Sequence, residues 1–242
     1  MKKKKSVENN NNNNFNNSNS FEIKQKFELN DAQKQIIETG LDSKNCRCLI
    51  IDGRAGSSKT YLATLIALIL LKEKKANLLT YIRTSVQSKD GELGFLSGSL
   101  EDKTAWMNEP FFSKLDELIS KSTTDKLFKE KKVQTIPSSM LRGLNLSGVT
   151  IFDECNNALF STIETALTRI SEHSLIILCG DSSGSQNDLG NKSGFKKVIE
   201  IFNGDEECRK NGLFYFKLNS DSIVRSKFVK FVVKRLESID KK

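Results

Sequence analysis

CLIIDGRAGSSKT, residues 48–60, is the stretch that decides the fold. Residues 48–52 are apolar up to a closing carboxylate and read as a strand buried on both faces. Gly53, Arg54, Ala55, Gly56, Ser57, Ser58, Lys59 and Thr60 follow, mostly small, and residues 61–71 then form an apolar run. A strand, a small-residue turn and a helix in that order are what a phosphate-binding loop requires. Backbone N–H groups from about Ala55 to Thr60 can turn inward around phosphates, and the helix start adds its positive dipole end. Lys59 would bridge the terminal phosphates of ATP, and the Thr60 hydroxyl would ligate magnesium. Ser58 stands where the pattern G-x-x-x-x-G-K-[ST] has its second glycine. Serine can still adopt first-turn geometry, so nucleotide binding is expected, and turnover becomes the sharper question.

Downstream, residues 149–154 (VTIFDE) form an apolar strand ending in two carboxylates. After a phosphate-binding loop, this is the Walker B arrangement. Asp153 at the strand tip would hold a water of the magnesium shell, and Glu154 would orient and polarise the attacking water. The next apolar run, 175–179, ends in Gly180-Asp181, and Gln186 follows in GDSSGSQNDL. That glutamine reads as a γ-phosphate sensor, with a polar turn capped by Asp181 as the competing interpretation.

Five strands are expected, at 48–52, 77–82, 149–153, 175–179 and 213–218, alternating with helices at 31–38, 59–74, 111–121, 160–171, 194–202 and 222–239. The alternation predicts an α/β fold with a mainly parallel sheet flanked by helices. Residues 84–148 form an insert between the second and third expected strands, and it should decorate one edge of the sheet. It carries Trp106, Pro110 and Pro137. Trp106, Phe111 and Phe112 are expected to be apolar anchors of the insert, with base stacking the competing role.

The chain has 242 residues, and 37% are hydrophobic, enough for one α/β domain with a core. Residues 1–20 are Lys-rich and then Asn-rich, a composition that cannot offset ordering entropy, so they read as a disordered tail ahead of a domain at 21–242. The formal charge is +8, of which +5 belongs to residues 21–242. That surplus is mild and fits a polyanion partner or a solvated basic surface equally. The run 61–71 lies between Lys59 and Lys72 and is too short to span a bilayer. Lys2, Lys3, Lys4 and Lys5 lead into asparagine instead of an apolar segment, so no secretory signal is read and a cytoplasmic location is expected. Five cysteines without a C-x-x-C pair, and one histidine, argue for reduced thiols and against structural zinc.

Several blocks together resemble the PhoH family of P-loop ATPases, relatives of the superfamily 1 helicase motor, over about residues 29–236. Besides GRAGSSKTYLA these are RTSVQSKDGELGFLSG (83–98), SMLRG (139–143), DECNN (153–157) and LTRI (167–170). Residues 180–189 are similar to the GDxxQxDL motif with two additional residues before Gln186, and DSIVR (221–225) to a late DIVRH element. The resemblance implies a RecA-like P-loop NTPase sheet, ATP hydrolysis with magnesium, homo-oligomeric rings such as a hexamer, and an association with single-stranded RNA. It also implies a finger role for Arg225 and, from LNDAQ, an adenine contact for Gln33. Three functions remain in play: an ATPase, a nucleotide-dependent binding switch with little turnover, and a ring-forming RNA helicase.

Overall fold

The computed structural model of the chain describes residues 21–84, 100–183 and 189–219, with Phe228, Phe231, Val232 and Arg235; over 100–107 it describes the backbone alone. The expected tail at 1–20, most of the block 83–98, most of the helix at 222–239, and the residues Gln186 and Arg225 lie outside the described residues, as does the Trp106 side chain.

The helices are α1 (Asp31–Leu41), α2 (Lys59–Lys72), α3 (Leu100–Leu118), α4 (Lys121–Lys129), α5 (Phe160–Thr168), α6 (Phe195–Ile201) and α7 (Glu206–Lys210). The strands are β1 (Cys48–Gly53), β2 (Leu79–Arg83), β3 (Val133–Pro137), β4 (Val149–Asp153), β5 (Leu175–Gly180) and β6 (Leu213–Leu218). They form one sheet in the order β3-β2-β4-β5-β1-β6, and every pairing is parallel.

Alternation along the strands divides the core. Leu49 and Ile51 of β1 face a cluster built with α1, α2 and α3, while Cys48 and Ile50 face a second cluster built with α5 and α6. Both faces are therefore covered, which is why these strands read as continuous apolar runs. In α2 the side chains from Tyr61 to Leu68 are all buried. Helix α1 starts at a capping box, in which the Asn30 side chain accepts from the Gln33 N–H and the Gln33 side chain accepts from the Asn30 N–H. It then lies close on α2: a Cβ on Gly40 would come within 2.8 Å of Ile66.

The sixth strand corrects the expected count of five. The insert supplies the edge strand β3, parallel to β2 with Leu79 opposite Val133, so it extends the sheet as well as covering its edge. VQTIP escapes a strand reading because it follows a lysine-rich run, ends in proline and is half-exposed on an edge. The helix expected at 111–121 is the second half of α3, which continues through Pro110. Phe111 is fully buried and stacks on Tyr81 at 4.2 Å, in keeping with an apolar anchor. Two short helices, α4 and α7, were also not expected. Both begin at a polar cap, Ser120 and Asp205, and both are short segments rich in charged residues.

Candidate functional site

In a parallel sheet the loops at the C-terminal strand ends converge, and ligands bind there. Here those ends carry Gly53 (β1), Arg83 (β2), Asp153 (β4) and Gly180 (β5). A cavity of about 480 Å³ opens among them, and Ala55, Gly56, Ser58, Lys59, Thr60, Asp153 and Glu154 all line it. A larger cavity, about 670 Å³, lies at the opposite ends of β1 and β6 around Arg47, Ile201 and Leu213. It holds none of the phosphate-binding loop or acidic-pair residues, so chemistry and not volume identifies the site.

The loop is built by its own backbone. The Ser57 N–H and hydroxyl both donate to the Arg54 carbonyl, at 3.2 and 2.7 Å, and Gly56 takes φ 83°. Ser58 also takes the left-handed conformation, φ 68° and ψ 18°, directly before α2 begins at Lys59. That is the backbone a glycine would supply without strain. The Lys59 ammonium donates to the carbonyls of Gly53 (2.6 Å) and Arg54 (3.1 Å), so it spans the loop from inside.

The acidic strand end meets the loop directly. The Thr60 hydroxyl donates to Asp153 Oδ2 at 2.9 Å, and the Tyr81 hydroxyl donates to the same oxygen, also at 2.9 Å. Oδ1 accepts from the Glu154 N–H at 3.0 Å. Asp153 is only 4% exposed, and three donors satisfy its carboxylate there. Burial, and then the Asp153 charge, push the Tyr81 phenol well above its ordinary range.

Glu154 is held by its neighbours. Its backbone is left-handed at φ 54°, its carbonyl accepts from the Thr84 hydroxyl at 3.0 Å, and its carboxylate accepts from the Asn156 amide at 3.4 Å. Burial raises its pKa above the glutamate norm and the Asp153 charge adds to the effect, while Arg83 and Lys59 pull it back. A carboxylate poised in this way suits a general base.

The structure therefore brings together Ala55, Gly56, Ser58, Lys59, Thr60, Asp153 and Glu154. Gly53, Arg54 and Ser57 shape the loop without lining the cavity, Gly53 because a Cβ there would come within 2.7 Å of the Ser57 hydroxyl. Gln33 closes the capping box of α1 and is absent from the cavity wall. Sequence reading gave no site role to Tyr81, to Arg83 and Asn156, which it placed only within the blocks 83–98 and 153–157, or to the far wall of Lys26, Phe27, Pro110, Lys114 and Glu117. A tyrosine and an arginine near the tip of an otherwise apolar strand were the available signal for the first two. The far wall comes from distant segments that only the fold assembles.

Oxygen donors are the ligands magnesium prefers, and the paired Thr60 and Asp153 oxygens at one corner of the cavity fit that ion. Among the described residues no helix is long and apolar enough to cross a membrane.

Comparison with known proteins agrees with this geometry. The model of the PhoH-like protein family matches residues 27–237. A PhoH-like protein of Synechocystis sp. is 30% identical over 188 residues, covering 76% of this chain and 55% of that protein. The PhoH-like protein of Bacillus subtilis is 29% identical over 190 residues, covering 78% and 57%. The chain thus spans little more than half the length of these relatives. Among solved structures, the large terminase from a thermophilic bacteriophage superposes with a TM-score of 0.55 at 12% identity, over 86% of this chain and 50% of that one. The large terminase of bacteriophage HK97 gives 0.52 at 12% identity, over 90% and 48%. These likenesses concern the fold alone, a RecA-like parallel sheet flanked by helices. With the family model matching most of its length, the chain belongs to the PhoH-like protein family.

Proposed function

We propose that this chain hydrolyses ATP with magnesium, using the cavity at the ends of β1 and β4. The observation that carries the reading is the Thr60–Asp153 hydrogen bond, which joins the phosphate-binding loop to the acidic strand end beside Lys59 and Glu154. Loop N–H groups and the Lys59 ammonium bind the β- and γ-phosphates. Thr60 and Asp153 would hold the metal ion. When bound, the magnesium ion neutralises charge on the phosphate oxygens. Glu154 takes a proton from the attacking water as its oxygen bonds to the γ-phosphorus. The bond from that phosphorus to the bridging oxygen breaks, leaving ADP with the electron pair, and Lys59 stabilises the charge that develops. Roles for Gln186 as sensor and Arg225 as finger, and for Gln33 at the base, belong to the same proposal and rest on the sequence motifs.

Magnesium-dependent phosphate release by the purified protein tests this. Lys59→Ala and Glu154→Gln should each lower it by about 10² to 10⁴-fold. Unchanged release in both would overturn the reading. Coupling to single-stranded RNA and assembly into a homo-oligomeric ring extend the proposal, supported by the family resemblance and the basic charge. Release measured with and without RNA, beside the mass of the assembly, tests both.

A second reading, a nucleotide switch with little turnover, is favoured by one observation. Ser58 brings a Cβ to the phosphate-facing wall at a left-handed position.

A further inference from the structure

β1 ends in a buried carboxylate that the proposed chemistry does not use. Asp52, 1% exposed, immediately precedes the phosphate-binding loop. Its Oδ1 accepts from the Ser182 N–H at 2.8 Å; its Oδ2 accepts from the Ser182 hydroxyl at 2.6 Å and from the Tyr215 hydroxyl at 3.0 Å. Ser182 lies in the turn that leaves β5, and Tyr215 lies within β6, so one side chain ties the end of β1 to both neighbouring strands, through the turn after β5 and through the middle of β6.

The same turn is gripped from its other side. The Asp181 N–H donates to Asn156 Oδ1 at 3.1 Å, and the Asn156 amide nitrogen donates to the Glu154 carboxylate at 3.4 Å. Asn156 and Asp181 are themselves buried, 2% and 5% exposed. A continuous polar path therefore runs from the root of the phosphate-binding loop through Asp52, the 181–182 backbone and Asn156 to Glu154. A buried carboxylate is a costly filling for a strand end unless donors surround it. Here all the donors belong to the turn after β5 and to β6, and the result is a fixed position of that turn relative to the loop.

We infer that Asp52 is a positioning residue, whose carboxylate clamps the turn after β5 to the root of the phosphate-binding loop and so holds Asn156 and Glu154 in register with bound phosphates. This rests on the ATPase reading above for its kinetic consequence, though not for its structural one. Asp52 touches neither nucleotide nor water in this scheme and acts through other residues.

The test uses the full chain and the variants Asp52→Ala, Asp52→Asn and Ser182→Ala. Three quantities are followed: kcat for phosphate release, the dissociation constant of a fluorescent ATP analogue with magnesium, and amide hydrogen exchange over residues 181–183. Asp52→Ala should lower kcat about tenfold or more while the dissociation constant stays within about threefold, because misplacing catalytic groups leaves ground-state binding intact. Asp52→Asn should recover most of kcat, since its carbonyl oxygen still accepts from the Ser182 N–H and its amide can donate to a hydroxyl.

Wild-type kcat in folded Asp52→Ala overturns the inference, as does a parallel loss of kcat and affinity that follows lost thermal stability. Should Asp52→Ala not fold, Ser182→Ala removes only one donor and should lower kcat about threefold at unchanged affinity. No change in kcat there is equally fatal. If the wild-type protein releases no phosphate, the ATPase reading falls, and exchange judges the clamp alone. Faster exchange at 181–183 in nucleotide-free Asp52→Ala or Ser182→Ala supports it, and wild-type exchange rates in both overturn it.

Discussion

Two non-glycine residues, Ser58 and Glu154, take left-handed backbone on the wall of one cavity, at φ 68° and φ 54°. Such a conformation costs an ordinary residue on the order of 1–3 kcal/mol, so each needs a reason. Their surroundings give different ones. Ser58 occupies the N-cap of α2, yet its side chain makes no capping hydrogen bond. Glu154 is held by Asp153 at its N–H, by Thr84 at its carbonyl and by Asn156 at its carboxylate. At Ser58 the site requires a backbone shape, and glycine would serve as well. At Glu154 it requires a carboxylate aimed from that shape, which glycine cannot supply. The other non-glycine residues with positive φ among those described, Lys74, Lys131 and His173, sit in exposed turns away from the cavity.

Replacing each strained residue by glycine separates shape from chemistry, and Glu154→Gly gives the larger effect. Removing the proton acceptor should lower phosphate release by about 10² to 10⁴-fold. Stability should hold or rise, because about 1–3 kcal/mol of strain is relieved against about 0.5–1 kcal/mol of added unfolded-state entropy. Thermal melts beside phosphate release would show inactivity without unfolding. A protein that loses both would mean that Glu154 is held for the fold.

The electrostatics of Glu154 sharpen the contrast with a smaller effect. Burial and the Asp153 charge raise its pKa above the ordinary 4.5. The folded state therefore keeps a proton that the unfolded chain has already released, and this group's contribution to stability falls as pH rises from 4.5 through the raised value. Turnover runs the other way, since the base must be unprotonated. The acid limb of kcat/KM, which reports the free protein, should lie above pH 4.5, and Arg83→Ala should move it higher, because Arg83 is a charge that pulls the pKa down. A limb at or below 4.5, or one indifferent to Arg83, would deny Glu154 the role of base.

Much of this site was legible from residues 48–60 and 149–154, because the phosphate-binding loop and its acidic partner are local patterns on buried strands, where apolar runs show plainly. Less legible was whatever depends on pairing. The edge strand β3 has no second buried face to write an apolar run. Tyr81 looks like core, and is core, until the register of β2 against β4 brings its hydroxyl to Asp153. Asp52 closes a strand in the sequence just as Asp153 does, and only the fold shows that one faces the cavity while the other is enclosed by Ser182 and Tyr215. Gln33 has a task that LNDAQ does not announce: its side-chain oxygen accepts from the Asn30 N–H in the helix cap.

Ser58→Gly should produce the smallest change, and it decides between turnover and switching. The Ser58 backbone already has the left-handed geometry that glycine would adopt, so the N–H groups presented to phosphate should barely move. Relief of about 1–3 kcal/mol of strain is offset in part by about 0.5–1 kcal/mol of added unfolded-state freedom, leaving a gain between about 0 and 2.5 kcal/mol. If backbone shape is all that the position contributes, kcat should stay within about threefold of wild type, with an equal or higher melting temperature. A gain in kcat of about tenfold or more would show instead that the serine Cβ obstructs the transferring phosphate. Ser58 would then act as a brake, the strain at this wall would serve function as it does at Glu154, and the protein would be a nucleotide switch whose slow turnover is set by one side chain.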